Sequence, residues 1–183
     1  MSAPVERALE GPAPALRALV WGDDGLPPLL ALHGWLDNAG SYARLAPLLA
    51  ARRQVIALEL PGHGHSEHLP PGLHYHFVDY VRSVLAAADA LGLERFDLLG
   101  HSLGAGIAAL LAAAAPGRIR KLLLIEGLGP LGDDGTHTLQ RFRDGIAAAP
   151  NGKGLRVFRD VEQAIAARAI AGGLRAELAR PIV

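Results

Sequence analysis

The residues best suited to chemistry are Gly100-His101-Ser102-Leu103-Gly104, a serine with a glycine two positions before it and another two after. The apolar run ending at Leu99 precedes this pentapeptide, and an alanine-rich stretch follows it. A serine on a tight strand-to-helix turn presents its hydroxyl to an electrophile, and the glycines let the two elements approach without Cβ collisions. Ala105 and Gly106 extend the small surface. The competing reading is a serine that caps the following helix, as in a nucleotide-binding turn.

Two further loops contain polar residues at the ends of apolar runs. His33-Gly34-Trp35 follows Pro28 to Leu32, and Pro61-Gly62-His63-Gly64-His65-Ser66 follows Gln54 to Leu60. The side chain of His33 reads as a hydrogen-bonded core histidine that stabilises its loop. Five of the eight histidines fall between His63 and His76, and the pairs His63/His65 and His74/His76 have the same-face spacing of a strand. Metal binding is the alternative for these histidines, but no carboxylate or histidine helix motif of metal-ligand spacing accompanies them, so no metal or other cofactor is expected. Because a serine hydroxyl must lose its proton as it attacks, the position of a base matters. Beyond Ser102 the chain offers Glu126, Asp133, Asp134 and a single histidine, His137.

These residues need elements to hold them. Leu16 to Val20, Pro28 to Leu32, Gln54 to Leu60, Phe96 to Leu99 and Ile119 to Ile125 read as strands, the middle ones apolar enough to be buried on both faces. Tyr42 to Arg53, Val78 to Leu91 and Leu103 to Ala115 have the three- and four-residue spacing of helices. Such alternation predicts an α/β fold, a mostly parallel sheet with helices on both faces, which binds ligands beyond the carboxyl ends of its strands. After Gly127 the texture changes to a loop rich in glycine, proline and aspartate, then helix-like stretches over Leu139 to Ala148 and Val157 to Ala171.

Composition narrows the function classes. The 183 residues are 50% apolar, enough for one domain with a sizeable core. Lysine plus arginine and aspartate plus glutamate number 18 each, so no electrostatic pull toward nucleic acid or an acidic membrane is expected. The absence of cysteine excludes disulfides, thiolate ligands and a cysteine nucleophile. Met1 to Pro12 lacks the pattern of a signal peptide, and Ile107 to Ala115 is too short to span a bilayer, which together predict a soluble, cytoplasmic protein. Composition gives no sign of oligomeric state.

Taken together, LHGWLDNAGSY, LELPGHGHSEH, LLGHSLGAGIA and LIEGLGPL, in this order over Leu29 to Leu131, resemble the serine hydrolase-like (kraken-type) branch of the α/β-hydrolases. The resemblance implies an α/β-hydrolase core and a serine hydrolase of carboxylesterase type, with a small-molecule acyl ester as substrate. It casts Ser102 as nucleophile, the N–H groups of Trp35 and Leu103 as the oxyanion hole, and His33, Gly34 and His101 as parts of the surrounding loops. A histidine base and an acid that orients it are implied as well. Relatives that open epoxides or displace halides have an aspartate where Ser102 stands.

The family order is serine, acid, histidine. Ile119 to Ile125 resembles the sixth strand of the family, and Glu126 at its end occupies the place some relatives use for the acid; a structural carboxylate is the equal alternative. Asp133 and Asp134 read as solvated loop residues, and His137 does not match the family's base position. After Gly127 the only strand-like stretch is Pro181 to Val183. The expectation is therefore that residues 1–127 form the N-terminal part of the core and residues 128–183 part of a helical cap. On that reading the last strands and the base lie past Val183. The alternatives are a noncatalytic fragment or binding protein that retains the core, and a self-contained site of Ser102, His137 and Glu126.

Overall fold

A computed structural model of the chain describes residues 3–11, 14–70, 72–129, 132, 134–148 and 157–183. Met1, Pro12, Leu131 and Asp133, which enter the readings above, lie outside the described residues.

Six strands form one sheet: β1 (Val5–Leu9), β2 (Leu16–Trp21), β3 (Pro28–Leu32), β4 (Gln54–Glu59), β5 (Phe96–His101) and β6 (Ile119–Ile125), in the order β1-β2-β4-β3-β5-β6. β2 runs antiparallel to both β1 and β4, whereas β4, β3, β5 and β6 are parallel. The continuous apolar runs follow from burial on both faces. Leu30, Leu32, Ile56, Leu58 and Leu98 pack on one face with Val81 and Val84 of α2 (Phe77–Ala90) and Ile107 and Leu111 of α3 (Leu103–Ala114). Leu29, Ala31, Val55, Ala57 and Leu99 alternate to the other face, against Tyr42 of the 3-10 turn Ala39–Tyr42 and Ala46 of α1 (Ala46–Leu49). Each fully buried aliphatic side chain contributes about 1.5–3 kcal/mol. The mostly parallel sheet covered by helices on both faces is as expected.

Several elements differ from the sequence reading. The helix expected over Tyr42 to Arg53 shrinks to α1, because Pro47 lacks an N–H and is accommodated only in the first turn of a helix. The helix expected from Val157 begins at Val161 instead, as α5 (Val161–Gly172): the Asp160 side chain accepts from Gln163 N–H and sets the start. α4 (Thr138–Ala148) is as read to within a residue. Pro181 to Val183 forms no strand, since α6 (Ala176–Ala179) runs directly into a 3-10 turn, Arg180–Ile182, with Pro181 in its first positions. His63 and His65 sit in a turn, and 73–76 is irregular, so the strand spacing of those histidines is not realised.

The register prepares a site. Leu32 lies opposite both Leu58 and Gly100, and His101 lies opposite Ile125. His33, Ser102 and Glu126 are therefore the first residues past three neighbouring strand ends, at the carboxyl edge of the sheet.

Candidate active site

Ser102 occupies the turn between β5 and α3 with φ 50° and ψ −112°, a conformation that costs a non-glycine residue about 1–3 kcal/mol and persists only when its surroundings fix it. They do so through hydrogen bonds and crowding. Its N–H donates to Ile125 O at 3.0 Å, and its carbonyl accepts from Ala105 N–H and Gly106 N–H. A Cβ at Gly100 would stand 2.3 Å from Gly104 O, and one at Gly104 would stand 2.2 Å from Leu32 O. Although Ser102 precedes the helix, its side chain makes no capping hydrogen bond, so the helix-cap reading is not realised. The residue is exposed, and among the described residues its hydroxyl has no protein partner.

The neighbouring loop, His33 to Asp37, is held from beneath by two imidazoles. Leu60 N–H donates to Nε2 of the fully buried His33 at 3.0 Å, which leaves the ring proton on Nδ1, donated to Gly34 O at 2.8 Å. Burial lowers the pKa of His33 to about 4, so the ring is neutral at pH 7. Leu36 N–H donates to His63 Nε2 at 3.3 Å, while His63 Nδ1–H donates to Pro61 O at 3.0 Å; burial lowers this pKa too. The rings of Trp35 and His63 meet edge to face, with centroids 5.4 Å apart. Gly104 N–H donates to His33 O at 3.2 Å, joining the loop to the first turn of α3. Among the described residues the N–H groups of Trp35 and Leu103 donate to no protein acceptor.

Glu126 also has positive φ, 56°, and its Oε2 lies 2.8 Å from Nε2 of His101, the residue just before the serine. This carboxylate is largely exposed, so solvent screens the pair. Gly34 packs over the same imidazole, where an added Cβ would meet His101 Nδ1 at 3.1 Å. His101 thus lies between the loop and Glu126, and both line a cleft of about 660 Å³ with Tyr42, Asp37 and Arg168. His137 is exposed, and among the described residues its imidazole bonds neither Ser102 nor Glu126. Asp134 is a loop residue whose carboxylate accepts from Thr136 N–H.

The structure therefore gathers His33, Gly34, Trp35, His101, Ser102, Leu103 and Glu126 at one edge of the sheet and leaves His137 apart. Sequence reasoning did not assign the support from His63 or the ion pair between Asp37 and Arg168. His63 was visible only as one of several clustered histidines, and Asp37 only as part of a quoted motif. Arg168, on α5, carried no local signal at all.

The chain belongs to the alpha/beta hydrolase fold family, whose model matches residues 27–168. It is 38% identical over 131 residues to a serine hydrolase-like protein of Danio rerio, a match covering 72% of this chain and 40% of that protein. Among solved structures it resembles a hypothetical protein of Pseudomonas aeruginosa PAO1 at 40% identity and TM-score 0.86, covering all of this chain and 64% of the other. A thioesterase domain from the curacin biosynthetic pathway matches at 26% identity and TM-score 0.86, over 99% of this chain and 67% of that one. The chain spans less than half the length of the Danio relative.

Proposed function

We propose that the whole protein is a serine hydrolase of acyl esters that works through an acyl-enzyme. The observation that carries this reading is Ser102 itself: an exposed hydroxyl on a strained, positive-φ turn, excused from helix capping and backed by two glycines that leave no room for a side chain. A hydrolase is the coarse reading that the family supports; a carboxylic ester as substrate follows from the chemistry a serine nucleophile performs best.

In this mechanism Ser102 Oγ attacks the ester carbonyl carbon as a base takes its proton. The carbonyl oxygen becomes an oxyanion held by the N–H groups of Trp35 and Leu103, donors of a kind that contribute roughly a hundredfold to a thousandfold each. Collapse of the tetrahedral adduct breaks the ester C–O bond, and the alcohol leaves with the proton returned by the base. Water then hydrolyses the acyl-serine by the same route in reverse. Among the described residues none bonds Ser102 as a base, so in this reading that part falls to a histidine of the whole protein. Glu126 is the acid: Oε2 is steadied by His101, and Oε1, free of bonds among the described residues, accepts from the base histidine.

A fluorophosphonate probe read by mass spectrometry tests the assignment. The whole protein should label at Ser102, Ser102→Ala should abolish labelling, and Glu126→Gln should slow it about ten-thousandfold. A folded whole protein that leaves Ser102 unlabelled would overturn the reading in favour of a binding protein built on the same core.

A further inference from the structure

The turn from Gly34 to Asp37 cannot hold its own shape. Asp37 N–H closes it onto Gly34 O at 3.2 Å, with Trp35 and Leu36 in the two central positions. Leu36 has φ 57°, the left-handed conformation such a turn demands at its third residue and normally gives to glycine. A branched side chain there is strained, and the strain persists only under outside restraint. Three restraints are present. His33 Nδ1–H on Gly34 O and His63 Nε2 on Leu36 N–H both come from loops at the strand ends. The third is the ion pair between the buried Asp37 carboxylate and Arg168, which comes from α5, 131 residues along the chain.

α5 is fixed at its own ends, by the Asp160 cap and the left-handed Gly173 that stops it. Ile165, one turn before Arg168 on the same helical face, is fully buried. The helix thus seats an apolar residue and a cation together, and the cation reaches the last residue of the strained turn. A shift of α5 would pull on Asp37, and through the Gly34–Asp37 bond on the peptide plane that aims Trp35 N–H.

We propose that the Asp37–Arg168 pair is a latch through which α5 sets the geometry of the oxyanion loop, so that Trp35 N–H is aligned only when α5 is seated. Asp37 and Arg168 are positioning residues in this account, which rests on the Ser102 and Trp35 roles proposed above. The latch makes the helical segment after the sheet a determinant of turnover rather than a cover alone.

The test uses the whole protein with Arg168→Gln, Asp37→Asn, the double variant and Arg168→Lys. Amide hydrogen exchange and the concentration dependence of fluorophosphonate labelling are measured together. In Arg168→Gln the amides of Leu36 and Asp37 should exchange about tenfold faster while those of Leu98 and Leu99 hold. The limiting labelling rate should fall about tenfold at an unchanged half-saturating probe concentration, the size of an ordinary coupling between sites. The double variant should be no worse than either single one, and Arg168→Lys should recover most of the loss. Faster exchange confined to α5, with loop amides and labelling untouched, would reduce Arg168 to an anchor of its own helix and overturn the latch. If core amides loosen equally and lysine rescues nothing, the pair is merely structural and the proposal fails. Should the unmodified protein not label, the hydrolase reading fails by itself; the exchange of the Leu36 and Asp37 amides still decides for or against the latch.

Discussion

A methyl group at Gly104 would lie 2.2 Å from Leu32 O and 2.8 Å from His33 O, both backbone atoms at the end of a central strand. Neither can retreat without breaking the sheet, so Gly104→Ala should lose about 3 kcal/mol or fail to fold. Gly117→Ala, where a Cβ meets nothing within 4 Å, should be neutral or slightly stabilising; urea unfolding of both variants makes the comparison. His33 gives a second outcome at this scale. Its folded pKa of about 4 lies below the ordinary 6.5, so between these values the unfolded chain binds a proton that the folded chain refuses. Stability should be flat near pH 7 and decline as the pH falls through this window, by about 3 kcal/mol at most. His63 adds in the same direction. Urea midpoints taken at about pH 7 and about pH 4.5 measure the decline, and a flatter slope in His33→Gln ties it to that ring. The glycine and serine positions were legible because their message is local, a spacing within five residues. The imidazole roles were not: what makes His63 a support is that Pro61 O and Leu36 N–H lie on its two sides, which no spacing reports.

At the scale of elements, the buried Asp97 joins three pieces of chain. Its carboxylate pairs with Arg53 at 3.0 Å, just before β4, and with Arg120 of β6, also at 3.0 Å. Removing both arginines would leave the buried Asp97 carboxylate unpaired, so replacing Arg53 and Arg120 with methionine should cost about 3–5 kcal/mol. Asp97→Ala should cost less, because the two guanidinium groups it leaves unmatched, 30% and 36% exposed, are reached by water. Thermal unfolding of these variants separates the two cases. Strands with two buried faces announced themselves as apolar runs, and α2 and α3 by their helical spacing. β1 did not, since Val5–Leu9 is an edge strand whose Glu6 and Arg7 face outward and whose only buried side chain is Leu9. Helix starts were misread where one residue decides them, Pro47 in α1 and Asp160 in α5.

For the molecule as a whole, the sheet is closed unevenly. β1 borders it on one side with charged residues, a usual protection of an edge. β6 borders it on the other, and among the described residues no strand pairs with its free side. Leu122, Leu123 and Ile125 there are 40%, 45% and 44% exposed, on both faces of one strand, beside the partly exposed Leu110 of α3. Unpaired N–H and C=O groups flanked by leucines template the addition of another strand, and apolar side chains reward it. The 183-residue chain on its own should therefore associate as its concentration rises, with light scattering showing a mass above that of the monomer. Leu123→Lys places a charge at the middle of this edge without touching a buried contact, so it should return the mass toward the monomer and leave the circular dichroism unchanged. If the lysine variant associates as readily as the parent, β6 is not the contact, and the exposed face of α4, with Leu139, Phe142 and Ile146, becomes the next surface to charge.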